Sequence, residues 1–161
     1  MRHMKLFRAV QPLLRKPLRF AIACAIATTT TFSTAEAQSG AFIVGNDRGG
    51  IIGNRVNEIR RLKNSGQRVE IRGNICLSSC TMYLGAGDVC VNPDTRFGFH
   101  GPSFYGQPLE PQYFEYWSEV LASHYPQTIR TWFMDTARYS LRSYHTVRGA
   151  ELIRHGVASC T

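Results

Sequence analysis

Between Ala41 and Gly73 the hydrophobic period changes twice, and this stretch restricts the fold more than any other. "AFIVG" (41–45) is an apolar run of strand type that ends in the turn residues "NDRGG". From Ile51 to Lys63 the apolar residues Ile52, Val56, Ile59 and Leu62 recur close to every 3.6 positions, with Arg and Asn between them. That spacing predicts an amphipathic helix, stopped by Asn64-Ser65-Gly66. "QRVEIRG" then alternates Val69 and Ile71 with charged neighbours and predicts a second strand ending at Gly73. Strand, helix and strand within about thirty residues make a parallel crossover unit, so the expected class is α/β with a mostly parallel sheet flanked by helices.

Beyond Gly73, Ser78 falls at a strand-to-helix turn and a short helical segment covers about 79–84. "GAGD" follows, then two short strands, "VCVN" and "RFGFHG", joined by a Pro93-Asp94 turn. Phe114, Trp117 and Leu121 share one helical face; Pro126 breaks the run, and Ile129, Trp132 and Phe133 resume it. These aromatic stripes are core or subunit-contact surface. A last helix is predicted through "VRGAELIRH", with Thr146 as N-cap and Gly156 at its end.

Residues 1–37 have the layout of a secretory signal. Six basic residues, Arg2 to Arg19, precede the apolar run "FAIACAIA", and "AEA" stands before Gln38. The apolar run is shorter than the roughly 20 residues a membrane span needs, so no stable span is expected once the leader is removed. The expected organisation is a signal peptide over 1–37, with Cys24 discarded in it, and a single domain over 38–161, periplasmic or secreted. Of the 19 Lys and Arg, six lie in the leader, as does one of the 11 acids, which leaves 13 bases against 10 acids. The remaining positives are scattered without an aromatic platform, so nucleic acid is not an expected partner. Export implies an oxidising compartment, where Cys76, Cys80, Cys90 and Cys160 are expected to form two bridges in one of three pairings. Metal is not expected: there is no CxxC pair and no histidine at finger spacing.

Three features follow one another in chain order: Gly49-Gly50 after the first strand, Ser78 at its turn, and His100 at the end of a later strand. In a parallel α/β fold such strand ends lie on one side, where clefts form. Acyl transfer needs a hydroxyl, a base to take its proton, and backbone N–H groups aimed at the oxygen that becomes negative. Glycines allow close backbone approach, and a helix start beyond the serine offers free N–H groups.

The segments "DRGG", "GNICLSSCTMYLGAG" and "VNPDTRFGFHGP" resemble the Clp protease proteolytic subunit, and above all its exported, cysteine-containing relatives. The resemblance spans about residues 43–102 and, more loosely, "AELIRHGV". It implies a crotonase-like ββα spiral, N-terminally short because only about a dozen residues after the leader precede Gly49. It implies Ser78 as nucleophile, with Ser79 as the alternative, and His100 as general base. Gly50 and Ser79 would supply the oxyanion N–H groups, with Gly49 letting the loop turn, and Asp135 in "FMDTARYS" would orient the imidazole. The expected activity is that of a serine peptidase acting on peptide or protein outside the cytoplasm, without cofactor, possible as a homo-oligomer; energy-dependent degradation does not transfer, and acyl-CoA chemistry is disfavoured by export. The competing expectation is a catalytically inactive, disulfide-stapled binding or assembly domain. The preferred cysteine pairing is Cys80 with Cys90 and Cys76 with Cys160, a staple around the site.

Overall fold

The computed structural model describes residues 40–160; the leader expected over 1–37 lies outside them. Strand β1 (Phe42–Val44) leads through the glycine loop into helix α1 (Ile52–Ser65), and β2 (Val69–Ile71) follows. The helix starts with no side-chain cap and ends at Gly66, whose φ of 66° lets its N–H turn back to the carbonyls of Leu62 and Lys63. Ile59 and Leu62 are its buried residues, as the 3.6 period requires. β3 (Ile75–Leu77), a 3-10 turn (Ser78–Gly85), β4 (Val89–Val91) and β5 (Arg96–Phe99) come next. The chain then becomes helical, with α2 (Pro111–Ala122) and α3 (Gln127–Asp135), and closes with β6 (His145–Arg148), α4 (Gly149–Arg154) and β7 (Ala158–Ser159).

The strands form two sheets. One is wholly parallel, in the order β1-β2-β4-β7; in the other, β3 and β5 are parallel and β6 runs antiparallel to β5. The architecture is α/β with mostly parallel pairing and flanking helices. From β2 onward the chain steps between the sheets: β2 into β3, back to β4, and across again to β5. Val69, Ile71, Val91, Phe97, Phe99, Phe133 and Leu152 are fully buried at its centre. Phe99 packs edge-on against Tyr125 and Trp132, and the Tyr125 hydroxyl reaches Thr81 Oγ1 at 2.8 Å, so the link between α2 and α3, and α3 itself, pack against β5. Among the described residues no helix is long and apolar enough to cross a membrane.

Two local expectations need correction. Thr146 does not cap a helix: residues 145–148 are a strand paired to β5, with Phe99 opposite His145, and α4 begins only at Gly149. Alternation of His, Thr, Val and Arg suits a strand at least as well as a helix start, and the free edge of β5 decides between them. The segment after Ser78 is an eight-residue 3-10 turn. Its side chains from Ser79 to Leu84 are all buried, so no amphipathic period marks it.

The cysteine pairing is also overturned. Cys76 bonds Cys80, and Cys90 bonds Cys160. β4 pairs with β7 with Cys90 opposite Ala158, and the N–H of Cys160 donates to the Val91 carbonyl at 3.0 Å, which sets Cys160 beside Cys90. Cys76 lies in the other sheet, and the turn after β3 brings Cys80 back to it with 5.2 Å between Cα atoms, inside the range a disulfide needs. The expected pairing would have tied the two sheets together instead. It failed because nothing in "VASC" announced a seventh strand.

Candidate active site

Ser78 is the first residue after β3, and His100 is the first residue after β5. These strands are parallel neighbours with Leu77 opposite Gly98, so the register delivers both side chains to one sheet end. Ser78 Oγ and His100 Nε2 are 2.8 Å apart, a hydrogen-bond contact in which a serine can pass its proton to an imidazole. Ser78 has a φ of 57°, an unusual value for a residue with a side chain. The Cys76–Cys80 bridge encloses this residue together with Leu77 and Ser79, closing the turn that carries it.

The glycine loop is pressed against the serine. Gly49 has a φ of 92°, and a Cβ there would lie 2.5 Å from Ser78 Cβ and 2.8 Å from the Leu77 carbonyl oxygen, so only glycine fits. Ser79, the alternative nucleophile, is buried, and its hydroxyl donates to the Gly50 carbonyl at 3.1 Å. Asp47 anchors the loop from below. Its N–H donates to the Ile75 carbonyl, its own carbonyl accepts from the Leu77 N–H, and its Oδ1 accepts the Gly49 N–H at 2.7 Å. The other carboxylate oxygen pairs with Arg55 at 2.6 Å. Arg55 also pairs with Glu58, lies over the Tyr83 ring and contacts the Tyr83 hydroxyl, while that hydroxyl donates to Glu58. Burial and the Glu58 carboxylate hold the Tyr83 phenol well above its ordinary pKa, so it remains a donor in this network.

Burial pushes the His100 imidazole below its ordinary pKa, and the Gly101 backbone offsets this only in part. The ring is therefore neutral near pH 7, as a base must be. Its Nδ1 is buried and has no hydrogen-bond partner among the described residues: the Gly101 backbone favours the charged ring without making a well-formed bond to it. The Tyr144 ring meets the imidazole edge to face at 5.1 Å. Asp135 is the last residue of α3, is exposed, and is not bonded to His100. The structure thus brings together Ser78, His100, Gly49, Gly50 and Ser79, and leaves Asp135 outside.

Ser78 and His100 open into a cavity of about 940 Å³ with mainly apolar walls, among them Ile51, Leu109, Trp117 and Tyr144. One side is a two-residue hairpin: Phe104 and Gln107 exchange backbone hydrogen bonds at 3.0 Å, and Tyr105 and Gly106 between them both have positive φ. Phe104 and Tyr105 stand 67% and 92% exposed at its tip. This hairpin, Asp47 and Tyr144 were not among the residues expected from the sequence. The adjacent aromatics before a glycine in "SFYGQP" were the available signal for the first; the other two depend on contacts made far along the chain. Among the described residues one group has the proximity of a metal site, Glu70 with Cys90 and Cys160, but both sulfurs are bonded to each other and offer no thiolate. Comparison with models of known protein families gave no match, and a search of curated proteins found none similar.

Proposed function

We propose that this protein is a serine hydrolase of peptide bonds that works outside the cytoplasm, with Ser78 as nucleophile and His100 as general base. The observation that carries this reading is the 2.8 Å contact between Ser78 Oγ and His100 Nε2, on a turn that opens into the cavity. Ser78 Oγ attacks the scissile carbonyl carbon while its proton passes to Nε2. The carbonyl oxygen takes the negative charge and is met by the N–H groups of Gly50 and Ser79, which the Asp47 anchor and the 3-10 turn hold beside the serine. As the tetrahedral adduct collapses, the C–N bond breaks and the amine leaves with the proton from Nε2. Water, deprotonated by the same nitrogen, then releases the acid and restores Ser78.

The stepping of strands between two sheets, with β2 to β3 followed by a helical turn and β4 to β5 followed by helices, supports a crotonase-like ββα spiral, and with it the resemblance of "CLSSCTMYLGAG" and "FGFHGP" to the Clp protease proteolytic subunit. Asp135 is not part of the proposed machinery. For Nε2 to accept a proton, the ring hydrogen must sit on Nδ1, which among the described residues has the Gly101 backbone nearby but no well-formed hydrogen bond and no carboxylate partner. That single feature favours a second reading, a binding or assembly domain that kept the fold without turnover. A fluorophosphonate probe separates the two: labelling of the wild type and not of Ser78→Ala supports the hydrolase, and no labelling of the folded protein leaves the binding domain.

A further inference from the structure

We propose that the cavity beside Ser78 selects substrates that present a large apolar group together with a free carboxylate, read by Arg142. The inference rests on the hydrolase reading and names the substrate class of the same site. The cavity, at about 940 Å³, is large enough for several side chains or an acyl chain, and Leu109, Trp117 and Leu141 give it an apolar wall. Among the described residues no acidic residue lines it, and the one Lys, Arg, Asp or Glu in its wall is Arg142. The stem of Arg142 runs beside the hairpin: a Cβ on Gly106 would lie 4.0 Å from its Cγ.

Most arginines near the core are already neutralised: Arg55 pairs with Asp47 and Glu58, and Arg138 with Glu115. Arg142 is exposed and, among the described residues, pairs with no carboxylate and stacks on no ring. A guanidinium presents a planar fork that fits a carboxylate with two parallel hydrogen bonds. Beside an apolar wall that displaces water, such a pair is stronger than on an open surface. The matching chemistry is the carboxy-terminal end of an apolar peptide, or an acyl amino acid of the same shape.

The test uses the full domain with an N-acetylated Ala-Leu-Phe peptide and N-octanoyl-phenylalanine, each as free acid and as C-terminal amide. The wild type is expected to cleave one or both acids with kcat/KM about tenfold or more above the matching amide. The pair that shows this preference tells peptide from acyl amino acid. Arg142→Gln is expected to abolish the ratio and Arg142→Glu to invert it, whereas Arg96→Gln, at the far end of β5, leaves it intact. Equal rates for acid and amide, or a ratio unmoved in Arg142→Gln, would overturn the proposal. Absence of any cleavage would count against the hydrolase reading instead. Calorimetric binding of the same pairs to Ser78→Ala then decides the proposal alone: tighter binding of the acid that disappears with Arg142→Gln sustains it, and equal binding of acid and amide ends it.

Discussion

Ser78 holds a backbone conformation that glycine would adopt more comfortably, with φ at 57°. Such a residue costs about 1 kcal/mol relative to an ordinary backbone. Ser78→Gly is therefore expected to raise the unfolding free energy by about 1 kcal/mol in urea titration while abolishing probe labelling. An unchanged or lower stability would show that the turn is not strained at this residue. On the proposed reading, His100 sets the pH dependence. Its pKa lies below the ordinary 6.5 because the ring is buried, so the base is neutral at pH 7, and kcat/KM is expected to fall with acid along a single ionisation centred below 6.5. Stability moves in the same direction: the unfolded chain takes up the proton first, so His100 contributes fully above 6.5 and loses its contribution as pH falls towards the folded value. The position of both residues at strand ends was legible in the sequence, because each sits where a strand stops and a turn begins. The place of Asp135 at the exposed end of α3, away from His100, was not legible, because where that helix ends is fixed by its packing against Phe99 and Tyr125.

At the scale of elements, the loop from Gly45 to Gly50 is held by a carboxylate and not by its own backbone preference. Asp47 ties Gly49 to Arg55 and, through the backbone, to both ends of β3. Removing that anchor lets the loop relax away from Ser78. Asp47→Ala is expected to lower kcat roughly 10²-fold, the scale of a misplaced oxyanion donor, with KM little changed. A KM effect alone would mean that the loop binds substrate without stabilising the transition state. The loop's glycines were readable as a turn, but their anchor was not, since an aspartate before Arg48-Gly49 has the composition of any surface turn. The two bridges divide their work in a similar way. Cys90–Cys160 spans 70 residues, against four for Cys76–Cys80. In the chain-entropy account the long closure contributes about 4 kcal/mol and the short one about 2. The paired substitution Cys90→Ala with Cys160→Ala is expected to lower the melting temperature more than Cys76→Ala with Cys80→Ala, and the reverse order would contradict the assignment.

For the whole molecule, the class was readable from one stretch, because the strand, helix and strand over 41–73 repeat the same periods that the structure displays. The division into two sheets was not. Strands of two to four residues leave too few positions for alternation to say which sheet they join. β7 is only Ala158–Ser159, both exposed, and it is recognised by its hydrogen bonds to β4 and not by any residue in it. The short Cys76–Cys80 ring has a further consequence for when the molecule acts. Its sulfurs are buried, so reductant in the surroundings meets a closed ring, and the dithiol form belongs to the chain before it folds. Chain refolded with Cys76 and Cys80 kept as thiols is expected to label with fluorophosphonate at least about tenfold more slowly than oxidised protein, and reoxidation is expected to restore the rate. On the proposed reading, a nucleophile presented by an oxidised turn would be armed only in an oxidising compartment, and a chain still reduced would stay silent towards the peptides around it.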